Sequence, residues 1–265
     1  EAIGTIRNDD DIIFLSDAGY TTPESYPGMT LVWGDEFNTN GAPDPSKWTY
    51  DLGNGNWGWG NNELQSYTNS PDNVDVTDGR LFIFARNEGS YTSGRIKTQG
   101  IYDFQYGRVD IRAALPIGQG IWPALWMLGS DIDTESWPAC GEIDIVEMVG
   151  HQPRLVHGTV HWGTDNSVHQ QNGSTAPALS FPATFATEFH VFSIDWQEDE
   201  IKFYLDDVHY HTITPSNMNG FDYPFNDEFF FIFNVAIGGN WPGDPNETTP
   251  FPGFMAVDYV RVFQQ

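Results

Sequence analysis

Nine short runs of apolar or alternating residues recur along this chain of 265 residues, separated by turn residues that are mostly Gly, Pro, Asn or Asp. They are RLFIFAR, YGRVDIRAAL, GIWPALWML, EIDIVEMV, LVHGTVHW, HVFSIDW, EIKFYLDD, FFFIFNVAIGG and MAVDYVRVFQ. No segment carries a helical stripe of about 12 residues, whereas a two-residue period buries one face of each run. Many half-buried strands separated by turn residues find their cover in a second sheet, so the pattern predicts an all-β sandwich. Sandwiches of this length need not divide, and no linker, repeat or low-complexity tract interrupts the chain, so residues 1–265 read as one domain. Residues 1–30 form a less regular N-terminal extension, in which Asp9, Asp10 and Asp11 read as solvated surface.

Charge narrows the partners. Against 37 acids stand 11 basic residues, a formal charge of −26, which repels nucleic acid, anionic membranes and sulfated polymers alike. Neutral substrates are favoured. No apolar run reaches the roughly 18 residues that a membrane-spanning helix needs. The chain opens on Glu1 rather than on a signal peptide, and the expectation is a mature, extracellular monomer. Cys140 stands alone, so no internal disulfide forms, and it reads as a small buried residue rather than a nucleophile. Aromatic residues make up 15% of the chain, with 10 Trp, 11 Tyr and 19 Phe. They suit a sandwich core, the default for any single tryptophan, and they also stack on the C–H faces of sugars.

The segment GEIDIVEMVG, residues 141–150, sets Glu142, Asp144 and Glu147 among Ile143, Ile145, Val146 and Val149. Carboxylates inside a β-branched strand are costly unless partnered, hydrated or used. On a helix the second and third acids would point roughly 200° and 140° away from the first. On a strand Glu142 and Asp144 share a face and Glu147 has the wrong parity. A β-bulge at Ile145 or Val146 restores it, placing three carboxylates on one wall. Two flanking carboxyls are the minimum equipment for hydrolysing a glycosidic bond, one as nucleophile or base and the other as acid, while a third raises its neighbours' proton affinity. A solvated face or a calcium site is the competing reading of the same spacing.

Parity orients two further strands. Trp122, Ala124, Trp126 and Leu128 share one face, with Pro123 arguing against an ordinary central strand. His157, Thr159 and His161 share another, on a run close enough to pair with the acid strand; a zinc site from the two histidines lacks a third ligand at a recognisable spacing.

Several motifs together resemble glycoside hydrolase family 16, and within it the laminarinases, which are endo-β-1,3-glucanases. They are WGDEFN at 33–38, WGWGNNELQSYT at 57–68, GIWPALWMLG at 120–129, GEIDIVEMVG, HGTVHWG at 157–163, NVAIGGNWPG at 234–243 and VDYVRVF at 257–263. The resemblance implies a β-jelly roll of two curved antiparallel sheets with a concave cleft for a neutral polysaccharide such as laminarin. It implies Glu142 as nucleophile, Glu147 as acid and then base, and Asp144 as the residue that orients Glu142, with no catalytic cofactor. Retention follows for carboxyls about 5 to 5.5 Å apart. For substrate binding it points to Asn61, Arg86, Trp122, Trp126, His161, Asn234 and Trp241, and for a structural calcium to Glu36, Gly79 and Asp258. Mixed-linkage β-1,3-1,4-glucan, agar- or carrageenan-type galactans and a non-catalytic glucan-binding module are the alternatives it leaves open.

Overall fold

The computed structural model describes residues 15–265, together with a two-stranded pair of Ile6–Arg7 and Ile12–Ile13. Asp9, Asp10 and Asp11 lie outside the described residues. All nine apolar runs become strands, and two large sheets result. The ten-stranded sheet runs in the order Val208–Ile213, Glu200–Leu205, His190–Gln197, Gly107–Ala114, Gly253–Gln264, Arg80–Asn87, Tyr91–Ser93 and Ser66–Tyr67. Thr30–Asp35 joins it on Gly253–Gln264, and Val74–Thr77 on Arg80–Asn87. The seven-stranded sheet runs His169–Thr175, His157–Gly163, Glu142–Glu147, Ile121–Gly129, Phe229–Ile237, Arg95–Lys97 and Thr49–Tyr50.

The two sheets close on one core as a β-jelly roll. Val109, Ile111, Val257 and Val262 from one sheet and Ile121, Leu125, Ile143 and Val160 from the other are each 0% exposed and belong to a single cluster. The twist of such sheets curves their faces, leaving the outer face of the seven-stranded sheet concave. Two hairpins use residues with positive φ at both central positions: Asp78 and Gly79 (φ 51° and 74°), and Asp206 and Asp207 (φ 50° and 60°). This is the primed turn geometry whose twist matches that of the flanking strands.

Pro123 departs from expectation, because Ile121–Gly129 is a central strand paired on both sides. Its ring is tolerated because Pro123 lies just beyond the last ladder pair with the acid strand, Ala124 with Glu147, and its carbonyl accepts from Met148 N at 3.2 Å. The strands His169–Thr175 and Val208–Ile213 escape the apolar pattern, since HQQNGST and VHYHTI are mostly polar and lie toward sheet edges.

Candidate active site

The acid strand is bulged at the predicted place. Against Ile121–Gly129 the register passes from Trp126 with Asp144 to Leu125 with Val146, skipping Ile145. Against His157–Gly163, Glu142 faces His161 and Glu147 faces His157, so five steps along the acid strand match four along its partner. The surplus residue lets Ile145 and Val146 both point inward, each 1% exposed beside Ile143 in the core. Glu147 is thereby returned to the outer face with Glu142 and Asp144.

Two of the acids accept an indole hydrogen bond there, and the third lies beside a histidine. Trp137 Nε1 donates to Glu142 Oε2 at 2.9 Å, and Trp122 Nε1 donates to Glu147 Oε1 at 3.0 Å. His161 Nε2 lies 3.1 Å from Asp144 Oδ2 and 3.7 Å from Glu142 Oε1. Burial pushes the Glu142 carboxyl up to about 7, helped by the like charge of Asp144 and opposed by His161, Trp137 and Arg95. Glu147 is driven well above the usual carboxylate range, again by burial first and then by Asp144. Burial disfavours the charged form of His161, but Glu142, Asp144 and Glu147 outweigh it and take the imidazole up to about 10. The site therefore holds one acid that keeps its proton well above the ordinary range, one that sheds it near neutrality and a cation beside the latter. That separation of proton affinities is what assigns acid and nucleophile in a carboxylate pair.

Aromatic side chains build the walls. Trp241, 42% exposed, stands edge-on to Trp122 at 5.5 Å and packs on His157 at 5.4 Å. Its loop is tied to the Asn61 loop, where Asn240 N donates to Asn61 O at 2.9 Å and Asn62 Nδ2 to Asn240 Oδ1 at 2.8 Å. Trp126 Nε1 donates to Asn234 Oδ1 at 2.8 Å, and Asn234 Nδ2 donates to Tyr67 OH at 3.1 Å. Asn234 is buried and spends both ends of its amide on protein partners, so its place is behind the Trp126 platform. Only Trp48, Trp162 and Trp196 of the ten tryptophans are buried to 2% exposure or less. The core default fails for most of the others because Trp59, Trp122, Trp126, Trp137 and Trp241 gather around the cleft.

The structure corrects the expectation for Arg86. It lies on Arg80–Asn87 in the ten-stranded sheet, where its Nε donates to Asp72 O at 2.6 Å and its Nη1 to Glu88 Oε1 at 3.2 Å. The guanidinium in the cleft belongs to Arg95, opposite Asn234, 4.6 Å from the Trp59 ring and 5.0 Å from the Trp126 ring, with Asp51 Oδ2 at 2.9 Å from its Nε. Arg95 escapes sequence reading because its strand has three residues and no period. Trp137 escapes because it sits in a turn, where parity says nothing. Glu63 is a third omission: its carboxylate accepts from Gln65 at 2.6 Å and Tyr67 at 3.1 Å, and burial raises its proton affinity.

The histidines part company. His157 turns to Trp241 and to Thr175 Oγ1, 3.1 Å from its Nδ1, while His161 turns to the acids. Among the described residues, the cluster with ligand atoms within 4.8 Å of one another is Glu142, Asp144 and His161. On the ten-stranded sheet, Glu36 and Gly79 follow and precede strands that both pair with Gly253–Gln264, which brings them toward Asp258. Asp258 sits in a bulge between Val257 and Tyr259. Arg112 Nη1 donates to its Oδ2 at 2.9 Å, Arg80 Nε lies 3.9 Å from its Oδ1, and Arg261 grips the Glu36 carboxylate at 2.7 and 2.8 Å. The main-chain carbonyls of Glu36 and Gly79 and the Asp258 Oδ1 suit calcium as hard oxygen donors, although the Asp258 charge is shared with arginine.

The sequence matches the profile of Glycosyl hydrolases family 16 over residues 61–261. It is 42% identical over 277 residues to Glucan endo-1,3-beta-glucosidase A1 of Niallia circulans, an alignment covering 93% of this chain and 39% of that protein. Among solved structures, the laminarinase catalytic domain from Thermotoga maritima superposes with a TM-score of 0.82 at 43% identity, covering 89% of this chain and 98% of that one. A non-specific endo-beta-1,3(4)-glucanase gives a TM-score of 0.80 at 42% identity, covering 94% and 96%. The profile spans most of the sequence, and the bulged acid strand falls inside it. The chain accordingly belongs to glycosyl hydrolases family 16 and is a glycoside hydrolase.

Proposed function

We propose that residues 1–265 form one catalytic domain that hydrolyses β-1,3-linked glucan of the laminarin type, within the chain, with retention of configuration. The observation that carries this reading is the bulge that lines up Glu142, Asp144 and Glu147 beneath a tryptophan-walled cleft. In the first step a Glu142 oxygen bonds to the anomeric carbon as the glycosidic bond breaks, and Glu147 delivers its proton to the departing oxygen. In the second, Glu147 takes a proton from water, the water oxygen bonds to the anomeric carbon, and the Glu142 ester bond breaks with its electron pair returning to the carboxylate. Asp144 and His161 hold Glu142 in place, and no cofactor enters either step. Trp122, Trp126 and Trp241 offer stacking faces, and Asn61, Arg95 and His161 offer polar contacts to hydroxyls.

The formal charge of −26 supports a neutral polymer as partner and speaks against nucleic acid, an anionic membrane or sulfated galactans. A polysaccharide is too large to cross a membrane unaided, which supports an enzyme acting outside the cell, where the polymer is. The similarity to a non-specific endo-beta-1,3(4)-glucanase favours a second reading, in which mixed-linkage glucan is also cleaved. A glucan-binding module without catalysis would have no need of the acid set. We place a structural calcium at the Glu36 and Gly79 carbonyls and Asp258, with no part in the chemistry.

Incubation with laminarin and with lichenan separates the two substrates: faster release of reducing ends from laminarin is expected, and a reversed preference overturns the assignment. Glu142→Ser is expected to be inactive and to be rescued by azide, giving a glycosyl azide of inverted configuration. An active Glu142→Ser removes Glu142 from the mechanism.

A further inference from the structure

His169 takes no part in the scheme above, yet it completes a ring of contacts around the nucleophile. It opens the edge strand His169–Thr175, paired with Gly163, whose φ of +144° and lack of a Cβ let the hairpin close; a Cβ there would meet Val168 O at 2.2 Å. From that position the imidazole folds back over the sheet. His169 Nε2 lies 2.7 Å from His161 Nδ1, and the two rings meet edge to edge, nearly coplanar at 19° with centroids 5.0 Å apart. His169 also packs on Trp137 at 4.7 Å, and Trp137 in turn lies 6.3 Å from His161. Trp137 and His161 both reach Glu142, so His169 buttresses both.

The proton positions follow from the partners. His161 Nε2 faces carboxylate oxygens, which only accept when ionised, so it carries hydrogen. At 2.7 Å one of the two facing nitrogens of the histidine pair carries hydrogen as well. We propose that His169 is a positioning residue for the nucleophile: its Nε2 accepts the Nδ1–H of His161 and so holds His161 as a doubly protonated imidazolium against Asp144 and Glu142. Burial and the charge of His161 both keep His169 below the ordinary histidine range, as an acceptor requires. The charged groups that act on the pair are Glu142, Asp144 and Glu147 on the acid strand, with Arg95 acting on Glu142 from across the sheet. The anionic groups among them favour a cation at His161 rather than at His169.

The inference rests on Glu142 being the nucleophile, because the cation then stabilises the carboxylate that attacks and later leaves. Two variants test it. His169→Phe keeps a ring against Trp137 without an acceptor, and His169→Gln restores an acceptor oxygen. Nitrogen-15 NMR of the His161 imidazole is expected to show its titration falling by about one unit or more in His169→Phe, as loss of a hydrogen bond to a charged group requires. Steady-state kinetics on laminarin are expected to show kcat down about tenfold with KM held within about twofold, since a residue that acts through His161 on the nucleophile changes the chemical step rather than ground-state binding. His169→Gln is expected to recover both, with the thermal midpoint of each variant close to that of the parent. An unshifted His161 titration in His169→Phe overturns the proposal, as does a glutamine variant no better than phenylalanine or a loss confined to KM. Failure of azide rescue in Glu142→Ser would remove the nucleophile assignment while leaving the His161 titration as a separate result, so the two readings fail distinguishably.

Discussion

Trp137→Phe isolates a single hydrogen bond to Glu142, the proposed nucleophile. The indole Nε1 donates to Glu142 Oε2 at 2.9 Å, and phenylalanine keeps a ring against His169 while removing the donor. In the proposed mechanism Glu142 must be ionised to attack, so activity is expected to fall as pH drops through its pKa, which is raised to about 7. A hydrogen bond to a charged group contributes about 1.5 to 3 kcal/mol, and about 1.4 kcal/mol equals one pKa unit. Losing a donor to the charged form raises the pKa, so the acid limb moves upward by about one to two units. The assay is kcat/KM against pH, which reports the free enzyme. Roughly one unit below the parent limb the variant is expected to retain a tenth or less of parental activity, and the deficit shrinks as pH rises. A folded variant whose acid limb moves by less than about 0.3 units would refute the claim that this indole selects the ionised form.

Three other outcomes follow from the same structure. Glu142 is raised in the folded state from 4.5 to about 7, so its burial costs nothing below the unfolded pKa and costs progressively more as pH rises through the folded one. Glu142→Gln is therefore expected to stabilise the fold above neutrality, by a ceiling on the order of 3 kcal/mol, raising the thermal midpoint there and leaving it unchanged near pH ~4; a pH-independent difference contradicts this. Arg86→Ala is expected to leave KM on laminarin within about twofold, while Arg95→Ala, which loses contacts to Trp59, Trp126 and Asp51, raises it about tenfold; the reverse order would return Arg86 to the cleft. Chelation by EDTA is expected to lower the thermal midpoint by several degrees, reversed by calcium and not by magnesium. No change would mean that Arg80 and Arg112 alone neutralise Asp258.

The acid strand is readable residue by residue because its message is parity. Glu142 and Asp144 fall out of step with Glu147, β-branched neighbours fill both sides, and one inserted residue is the cheapest reconciliation; the register skips Ile145, within the predicted pair. Trp122 and Trp126 were oriented by the same arithmetic and are half-buried on the outer face while Leu125 and Met127 are in the core. Arg95, Trp137, Glu63 and His169 left no such trace. They occupy a three-residue strand, two loops and a polar edge strand, where apolar periodicity has nothing to act on.

The alternation of apolar and polar residues suffices to specify two sheets, the bulge and the face on which the acids lie, because each depends only on neighbours along the strand. Which arginine enters the cleft, which indole grips Glu142 and which histidine backs His161 depend on strands distant in sequence lying side by side. Arg95 meets Trp126 because both their strands flank Phe229–Ile237, and His169 meets Trp137 because a hairpin folds one over the other. Proton affinities belong to the same class: Glu142 and Glu147 carry the same side chain, and it is burial and the company of Asp144 and His161 that set them apart.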